Sequence, residues 1–183
     1  RNAHPKTQVG EVWAKSRTVM LGYLNEPELT AETIMDGWLR TGDLGFLDPS
    51  GQLHLRGRSK NMIVTAGGKN VYPEDIEGAF AGVPCDELAV FATGYVWPGV
   101  ALTEEGLFVV VRAEKLDDAA ARNALLEAIR VRNGRLPDYK RVSGVLPFAG
   151  EFPRTASMKI KRAALADALR TQSPRGAILP VGA

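Results

Sequence analysis

The chain has 183 residues, of which 45% are hydrophobic and 24% are charged, so it can bury a core and is not compositionally disordered. Its 23 lysines and arginines nearly balance 21 acidic residues, and the net charge of +2 excludes a broad electrostatic footprint for nucleic acid. A single cysteine, Cys85, excludes an intramolecular disulfide, and no apolar run reaches the roughly 18 residues that span a bilayer. We therefore expect a cytoplasmic globular protein in which Cys85 is a packed or partly exposed thiol.

The first residues, 1–9, are polar and unpatterned, and they lead directly into a strand-like run at residues 10–13, Gly-Glu-Val-Trp. This end has neither an initiator methionine nor a hydrophobic signal segment, so we expect a sequence cut from a longer protein. Residues 26–37 then form a polar helix or turn that Thr30 can cap, which is most simply a surface connector.

Residues 41–43, Thr-Gly-Asp, predict a tight turn from which the Asp43 carboxylate projects. A carboxylate held in this way can accept hydrogen bonds from two adjacent hydroxyls, such as those of a ribose. For an isolated Thr-Gly-Asp, an Asx-type turn in which the aspartate bonds its own backbone is the simpler explanation.

Alternation of polar and apolar residues over 52–56 predicts a half-buried strand that ends at Gly57, and residues 62–64 predict a second strand. Arg58 and Lys60 form a charged break between them. Such residues are typical of a solvated turn, but they could also reach a phosphate or ribose, or mark a pivot between two bodies.

The next segment contains Gly67 and Gly68, which permit close backbone approaches that a Cβ would block. Pro73, followed by two acidic residues, predicts the start of a helix that continues to about Ala81. A Gly-Val-Pro stop signal at residues 82–84 follows.

The rest of the chain predicts strands and helices in alternation. The predicted strands are 87–92, 106–112 and 142–146, and the predicted helices are 117–132 and 163–170. Helix 117–132 should pack on the sheet through one apolar face: Ala121, Leu125, Ala128 and Ile129. Residues 171–183 have two prolines and no periodicity, so we expect a loose tail.

Several motifs, in this order along the chain, resemble the adenylate-forming superfamily of acyl-CoA synthetases, aryl-CoA ligases, luciferases and peptide-synthetase adenylation domains. They are Leu-Arg-Thr-Gly-Asp at 39–43, Gly-Arg-Ser-Lys at 57–60, Gly-Gly-Lys-Asn-Val-Tyr-Pro at 67–73 and Pro-Arg-Thr-Ala-Ser-Met-Lys-Ile-Lys-Arg at 153–162. The resemblance covers about residues 10–170. One departure is Met158, which stands where the family has glycine and which could stiffen this segment or change its path.

The resemblance implies an α+β fold. Residues 1–60 would be a β-rich remnant of the large N-terminal domain, with its ribose-binding loop and hinge. Residues 61–170 would form the small C-terminal lid domain of mixed sheet and helices. The loose tail would follow at residues 171–183.

The resemblance also implies roles for individual residues. Asp43 and Arg58 would hold the ribose of ATP, and Lys60 would be the hinge. The glycine pair at 67–68 would line the path of a pantetheine thiol. Lys159 would be the catalytic lysine, whose mobile ammonium offsets the repulsion between a carboxylate and the α-phosphate. The alternative for Lys159 is an exposed basic loop before the last helix.

The function implied is that of the C-terminal part of an ATP-dependent carboxylic acid ligase that acts through an acyl-adenylate. Its cofactors would be ATP, Mg²⁺ bound mainly by the rest of the enzyme, and coenzyme A or the phosphopantetheine of a carrier protein. A fatty acid is the favoured substrate, and aryl acids stay open. The family's phosphate loop and its aromatic-Gly-x-Thr-Glu motif are absent from these 183 residues, so the chain alone should not adenylate.

The competing hypothesis is a non-catalytic, standalone lid module that binds a carrier protein or a partner enzyme. A third hypothesis is a nucleic-acid binder built on the basic cluster at 159–162. The absence of aromatic stacking residues interleaved with this cluster argues against it. We expect no metal site within the chain.

Overall fold

The computed structural model describes these parts of the chain: residues 9–99, 106–114 and 116–181. The chain divides into two units, residues 1–62 and 63–183. This division lies two residues beyond the junction of Lys60 and Asn61, where the sequence predicted a domain boundary.

The first unit is an antiparallel sheet organised around one long strand. Its elements are β1 (Gly10–Ala14), α1 (Pro27–Thr33), β2 (Ile34–Met35), β3 (Trp38–Leu47) and β4 (Leu53–Arg58). Strand β3 pairs with each of the other three strands. All three pairings are antiparallel, so β3 fixes the positions of β1, β2 and β4 within this unit.

The turn between β3 and β4 is closed by Asp48. Its carboxylate accepts a hydrogen bond from the Ser50 hydroxyl at 2.6 Å, lies 2.8 Å from His54 Nε2, and accepts the Gln52 amide at 2.9 Å. These bonds hold the pKa of Asp48 well below its usual range, because they favour the charged carboxylate.

Apolar side chains of the first unit remain largely exposed. Gly45 is the only buried residue among those described in this unit. Leu55 in β4 is 61% exposed, although the alternation over 52–56 predicted a half-buried strand. The prediction of burial was wrong, because Leu53 and Leu55, the apolar side chains of β4, both remain exposed.

The second unit contains a small hairpin followed by a mixed four-stranded sheet. The hairpin strands are β5 (Ile63–Val64) and β6 (Asn70–Val71), and the sheet strands are β7 (Glu87–Ala92), β8 (Leu107–Arg112), β9 (Val142–Pro147) and β10 (Leu179–Pro180). The order in the sheet is β10-β9-β8-β7. Strands β8 and β9 are parallel, whereas β7 and β10 are antiparallel to their neighbours.

Helices cover both faces of this sheet. They are α2 (Pro73–Ala79), α3 (Thr93–Val96), α4 (Ala119–Asn133) and α5 (Arg162–Gln172). Side chains of β8 alternate between two cores: Val109 and Val111 pack with α2 and α4, whereas Phe108 and Val110 pack with α3 and α5. The unit therefore has its own hydrophobic core on each face, and the predicted α+β class is confirmed.

Helix α4 is fixed at both ends by polar side chains, and one of them attaches the helix to the sheet. Asp118 caps its start by accepting the Ala121 amide at 2.8 Å, and Leu125 and Ile129 are buried as predicted. At its end, the buried amide of Asn133 bonds both the carbonyl and the N–H of Val142, at 2.9 and 2.8 Å, which ties the helix to β9. None of the helices described here is long and apolar enough to cross a membrane.

The prediction of a loose tail over residues 171–183 was wrong for its described part. Helix α5 runs to Gln172, and β10 pairs with β9 in the register Leu179 with Val145. A Cβ at Gly144 would lie 2.3 Å from the Ile178 side chain, so the glycine in β9 provides the space for this close approach. A two-residue strand has no periodicity of its own, and its glycine partner is distant in sequence.

Candidate functional site

Residues 41–43 were predicted to form a turn, but they lie inside strand β3. The register between β3 and β1 shifts at this point, and Gly42 adopts a positive φ of 72°. Thr41 stabilises the irregularity by donating its hydroxyl to the Val12 carbonyl at 2.7 Å and accepting the Asp43 amide at 3.1 Å. The prediction of a loop was therefore wrong, and a bulged strand presents the aspartate.

Asp43 is held by Arg58, its cross-strand partner on β4. Arg58 Nε lies 3.0 Å from Asp43 Oδ1, and Arg58 Nη1 donates to the Thr41 carbonyl at 3.2 Å. A Cβ at Gly42 would come within 3.3 Å of Arg58 Nη1, so glycine leaves room for the guanidinium. The carboxylate is bonded to an arginine rather than to its own backbone in an Asx turn. With its side chain 35% exposed, Asp43 can still accept bonds from a ligand diol.

Lys60 lies in a single 3₁₀ turn, Ser59–Asn61, directly after β4. The Met62 amide closes this turn on the carbonyls of Arg58 and Ser59, at 3.2 and 3.4 Å. Lys60 is exposed, and the turn ends at Asn61, one residue before the last residue of the first unit. A short turn of this kind is where a hinge can absorb a change of backbone angles.

Gly67 and Gly68 lie in the loop of the β5–β6 hairpin, which we call the glycine hairpin (residues 65–69). The Thr65 amide donates to the Lys69 carbonyl at 3.0 Å, the Gly68 amide donates to the Thr65 carbonyl at 2.8 Å, and the Lys69 amide donates to Thr65 Oγ1 at 3.1 Å. Gly68 has a φ of 71°, and a Cβ built on it meets nothing within 4 Å. The hairpin thus presents open backbone.

Lys159 lies in a second hairpin of the same unit, which we call the lysine hairpin (residues 155–159). The Thr155 amide donates to the Lys159 carbonyl at 2.9 Å, the Met158 amide donates to the Thr155 carbonyl at 2.9 Å, and the Lys159 amide donates to Thr155 Oγ1 at 3.1 Å. Met158 has a φ of 63° and occupies the left-handed position that Gly68 fills in the glycine hairpin. The methionine therefore does not redirect this loop.

The two hairpins have the same sequence pattern, Thr-Ala-x-x-Lys, and share three hydrogen bonds, two between backbone groups and one from the lysine amide to the threonine hydroxyl. The lysine hairpin has one more, at 3.0 Å between the Thr155 and Ser157 hydroxyls, because the corresponding residue of the glycine hairpin is Gly67. This is a three-residue hairpin loop, in which the last loop residue takes the left-handed conformation. This repeat is present in the sequence. Sequence reasoning missed it because the five-residue pattern recurs only once, at 155–159.

Sequence reasoning also missed a charged cluster beside the lysine hairpin. Arg154 donates through Nη1 to the Met158 carbonyl and through Nη2 to Glu87 Oε2. Glu87 Oε1 in turn accepts Arg112 Nη1 at 3.0 Å. The signal that could have found it is the pairing of predicted strands 87–92 and 106–112, which places an acid opposite a base.

Neither the single cysteine nor a cluster of metal-binding side chains adds to the candidate site in the described part of the chain. Cys85 is partly buried, and burial, followed by the charge of Asp86, raises the pKa of its thiol. Within the described ranges, no three or more His, Cys, Asp or Glu side chains come together in a way that could hold a metal ion.

Comparison with known proteins places this arrangement in a family. No protein-family model matches the chain. Over 94% of its length the chain is 37% identical to a medium/long-chain-fatty-acid--[acyl-carrier-protein] ligase, FadD10, of Mycobacterium tuberculosis, and the matching region is 31% of that protein. Over 86% of its length it is 36% identical to a sulfoacetate--CoA ligase of Cupriavidus necator, and the matching region is 29% of that protein. The ATP-bound crystal structure of MatB from Rhodopseudomonas palustris superposes with a TM-score of 0.67 and 29% identity, covering 92% of this chain and 32% of that chain.

The proteins that this chain resembles in sequence are ligases that join an acid to coenzyme A or to an acyl carrier protein. The chain belongs to the adenylate-forming superfamily, as the sequence motifs indicated. It spans about a third of the length of the curated relatives that it matches.

Proposed function

We propose that this chain is the C-terminal part of an ATP-dependent acid–thiol ligase. In this proposal the enzyme joins a fatty acid to the pantetheine thiol of coenzyme A or of an acyl carrier protein, through an acyl-adenylate. The relative named as a fatty-acid ligase matches 94% of the chain and supports the fatty acid. The sulfoacetate ligase matches nearly as much, so a panel of acids assayed on the intact protein should decide the substrate class.

The two units have different roles in this proposal. Residues 1–60, which make up nearly all of the first unit, are the end of the large adenylation domain, and residues 61–170 belong to the lid. The exposed apolar side chains of the first unit support this, since a sheet without a core of its own is expected to pack against further protein. The second unit has a core on each face of its sheet and can move as one body.

In adenylation, a carboxylate oxygen of the acid attacks the α-phosphorus of ATP and pyrophosphate leaves. Asp43, oriented by Arg58, accepts hydrogen bonds from the ribose hydroxyls. Lys159 supplies a positive charge where the two anions approach, which lowers the barrier most when the charge is already in place. The observation that carries the proposal is the lysine hairpin, because its backbone bonds hold the base of Lys159 while its ammonium makes no hydrogen bond or ion pair with the residues that the structure describes.

In the second half-reaction, the thiol sulfur attacks the acyl carbonyl and AMP leaves. The open backbone at Gly67 and Gly68 lines the pantetheine path, and Lys60 is the pivot between the two states of the lid. Mg²⁺ would neutralise phosphate charge during adenylation. It would be bound mainly by protein outside this chain.

The test is Lys159→Ala in the intact enzyme. We expect ATP–pyrophosphate exchange to fall by roughly a hundredfold or more, since one preorganised charge is removed from the transition state. Thioester formation from supplied acyl-adenylate should survive. Lys161→Ala, which removes an exposed lysine two residues away, is the matched control and should leave both half-reactions unchanged.

Equal loss in both half-reactions would contradict the role given to Lys159. If Lys161→Ala were as harmful as Lys159→Ala, the segment would be a general basic loop. If the intact protein forms neither acyl-adenylate nor thioester with any acid of the panel, the non-catalytic lid module becomes the better account.

A further inference from the structure

The charged cluster beside the lysine hairpin carries an inference beyond the proposed reaction. We propose that Arg154, anchored by Glu87, is a positioning residue that orients Lys159 for adenylation. This proposal rests on the role of Lys159 proposed above. Arg154 would not itself touch the substrate.

Arg154 is placed to act on the backbone next to Lys159. It pairs with Ile160 in an isolated antiparallel bridge, so it sits at the base of the lysine hairpin. One arm of its guanidinium reaches across the loop to the Met158 carbonyl. That carbonyl belongs to the peptide group that joins Met158 to Lys159, so the bond fixes the plane from which the lysine side chain departs.

The other arm of Arg154 bonds Glu87, which belongs to the sheet. Glu87 opposes Arg112 in the ladder between β7 and β8, and the two side chains are joined at 3.0 Å. The Glu87 side chain is 14% exposed. A carboxylate held by two guanidiniums in a paired strand is a rigid anchor, and Arg154 transmits that rigidity to the hairpin.

Lys159 needs such help because its own side chain has no support. Its ammonium makes no hydrogen bond or ion pair with the residues that the structure describes. Apart from the rotatable bonds of the side chain itself, the backbone is therefore what sets the position of the ammonium. An error of about 1 Å in a catalytic group can cost roughly a hundredfold in rate, so the orientation of one peptide group has a kinetic consequence.

The glycine hairpin shows that the clamp is not needed to form the turn. The residue that precedes Thr65 is Val64, in the place that Arg154 occupies before Thr155. The valine side chain has no hydrogen-bond donor, and yet the glycine hairpin makes the same three hydrogen bonds. The Arg154–Glu87 pair therefore adds attachment to the sheet rather than the hairpin fold itself.

The experiment compares Arg154→Ala, Arg154→Lys and Glu87→Gln with wild type in the intact enzyme. We expect kcat for pyrophosphate exchange to fall about tenfold or more in Arg154→Ala, with KM for ATP nearly unchanged, because orientation rather than binding is lost. Arg154→Lys should recover only part of the rate, since a single ammonium cannot bond the Met158 carbonyl and Glu87 in the same fork-like way. Thioester formation from supplied acyl-adenylate should stay at the wild-type level in all three.

The matched control is Lys140→Ala, which breaks the 2.6 Å ion pair with Asp75, a pair of similar exposure that lies outside the lysine hairpin. This variant should lower the unfolding temperature as much as Arg154→Ala does, and it should leave pyrophosphate exchange unchanged. Hydrogen exchange gives a readout that does not depend on activity. In Arg154→Ala, the amides of Met158 and Lys159 should exchange faster, whereas those of Gly68 and Lys69 should not.

Normal pyrophosphate exchange in Arg154→Ala, or an equal loss in both half-reactions, overturns the proposal. Lys159→Ala, measured in parallel, separates the two levels of inference. If Lys159→Ala is impaired and the Arg154 and Glu87 variants are not, only the positioning role fails. If Lys159→Ala adenylates normally, the proposed role of Lys159 fails and the positioning role fails with it.

Discussion

The glycine hairpin and the lysine hairpin share a backbone and differ in their surroundings. Both begin at a threonine, end at a lysine and place one residue in the left-handed conformation, which is Gly68 in one and Met158 in the other. The lysine hairpin is tied to the sheet by Arg154, whereas Val64 occupies that place in the glycine hairpin. The same turn can therefore serve either as exposed backbone or as a platform for one charged side chain. The two differences are the residue in the left-handed position and the residue that precedes the threonine.

Placing a side chain on the glycine hairpin should break this division of roles most strongly. In Gly68→Leu, the leucine has space, since a Cβ there meets nothing within 4 Å, but it would stand on the path proposed for the pantetheine arm. We expect thioester formation to fall by roughly ten- to a hundredfold, because the acceptor is displaced from its attack position. Pyrophosphate release should be spared, and separate assays of the two half-reactions measure this.

The control for Gly68→Leu is Gly51→Leu in the first unit. Gly51 has a φ of 85° and also an open Cβ position, so the backbone strain is similar and only the location differs. If Gly51→Leu reduced thioester yield as much, strain rather than obstruction would explain the loss. A normal thioester yield in Gly68→Leu would remove Gly68 from the acceptor path.

The threonines test whether the two turns are equivalent in stability and different in function. Thr155→Ala and Thr65→Ala each remove the hydroxyl that accepts a lysine amide at 3.1 Å. Each should cost roughly 0.5–1 kcal/mol in denaturant unfolding, the low end for a neutral hydrogen bond, because both sites are open to solvent. Only Thr155→Ala should slow pyrophosphate exchange, by a few fold. A slower exchange in Thr65→Ala would show that the two hairpins are not functionally separate.

How much the sequence could predict depended on whether the signal was local. The apolar runs predicted the strands at 87–92 and 106–112, and the Pro73 start signal predicted α2, because both patterns act within a few residues. The family resemblance supplied the candidate residues. The pairing of Asp43 with Arg58 became visible only in the structure, because it depends on strand register.

The failures had non-local causes. The short strand β10 depends on the space that Gly144 leaves in β9, so the sequence of the tail alone predicted a loose tail. The Arg154–Glu87 pair joins residues 67 positions apart, and no periodicity connects them. The turn predicted at residues 41–43 proved to be a bulge because β3 continues through it to pair with β4.

Met158→Gly is the mildest change, and it makes the left-handed residue identical in the two hairpins. A non-glycine residue at a φ of 63° carries roughly 1–2 kcal/mol of strain, and the greater freedom of glycine in the unfolded chain offsets about 0.5–1 kcal/mol of that. We therefore expect a net stabilisation of roughly 0.5–1 kcal/mol in denaturant unfolding. Since the carbonyl of residue 158 is retained, Arg154 can still bond it, and pyrophosphate exchange should stay within about twofold of wild type. A large loss of exchange together with higher stability would mean that the methionine side chain, and not the backbone clamp, holds Lys159 in place.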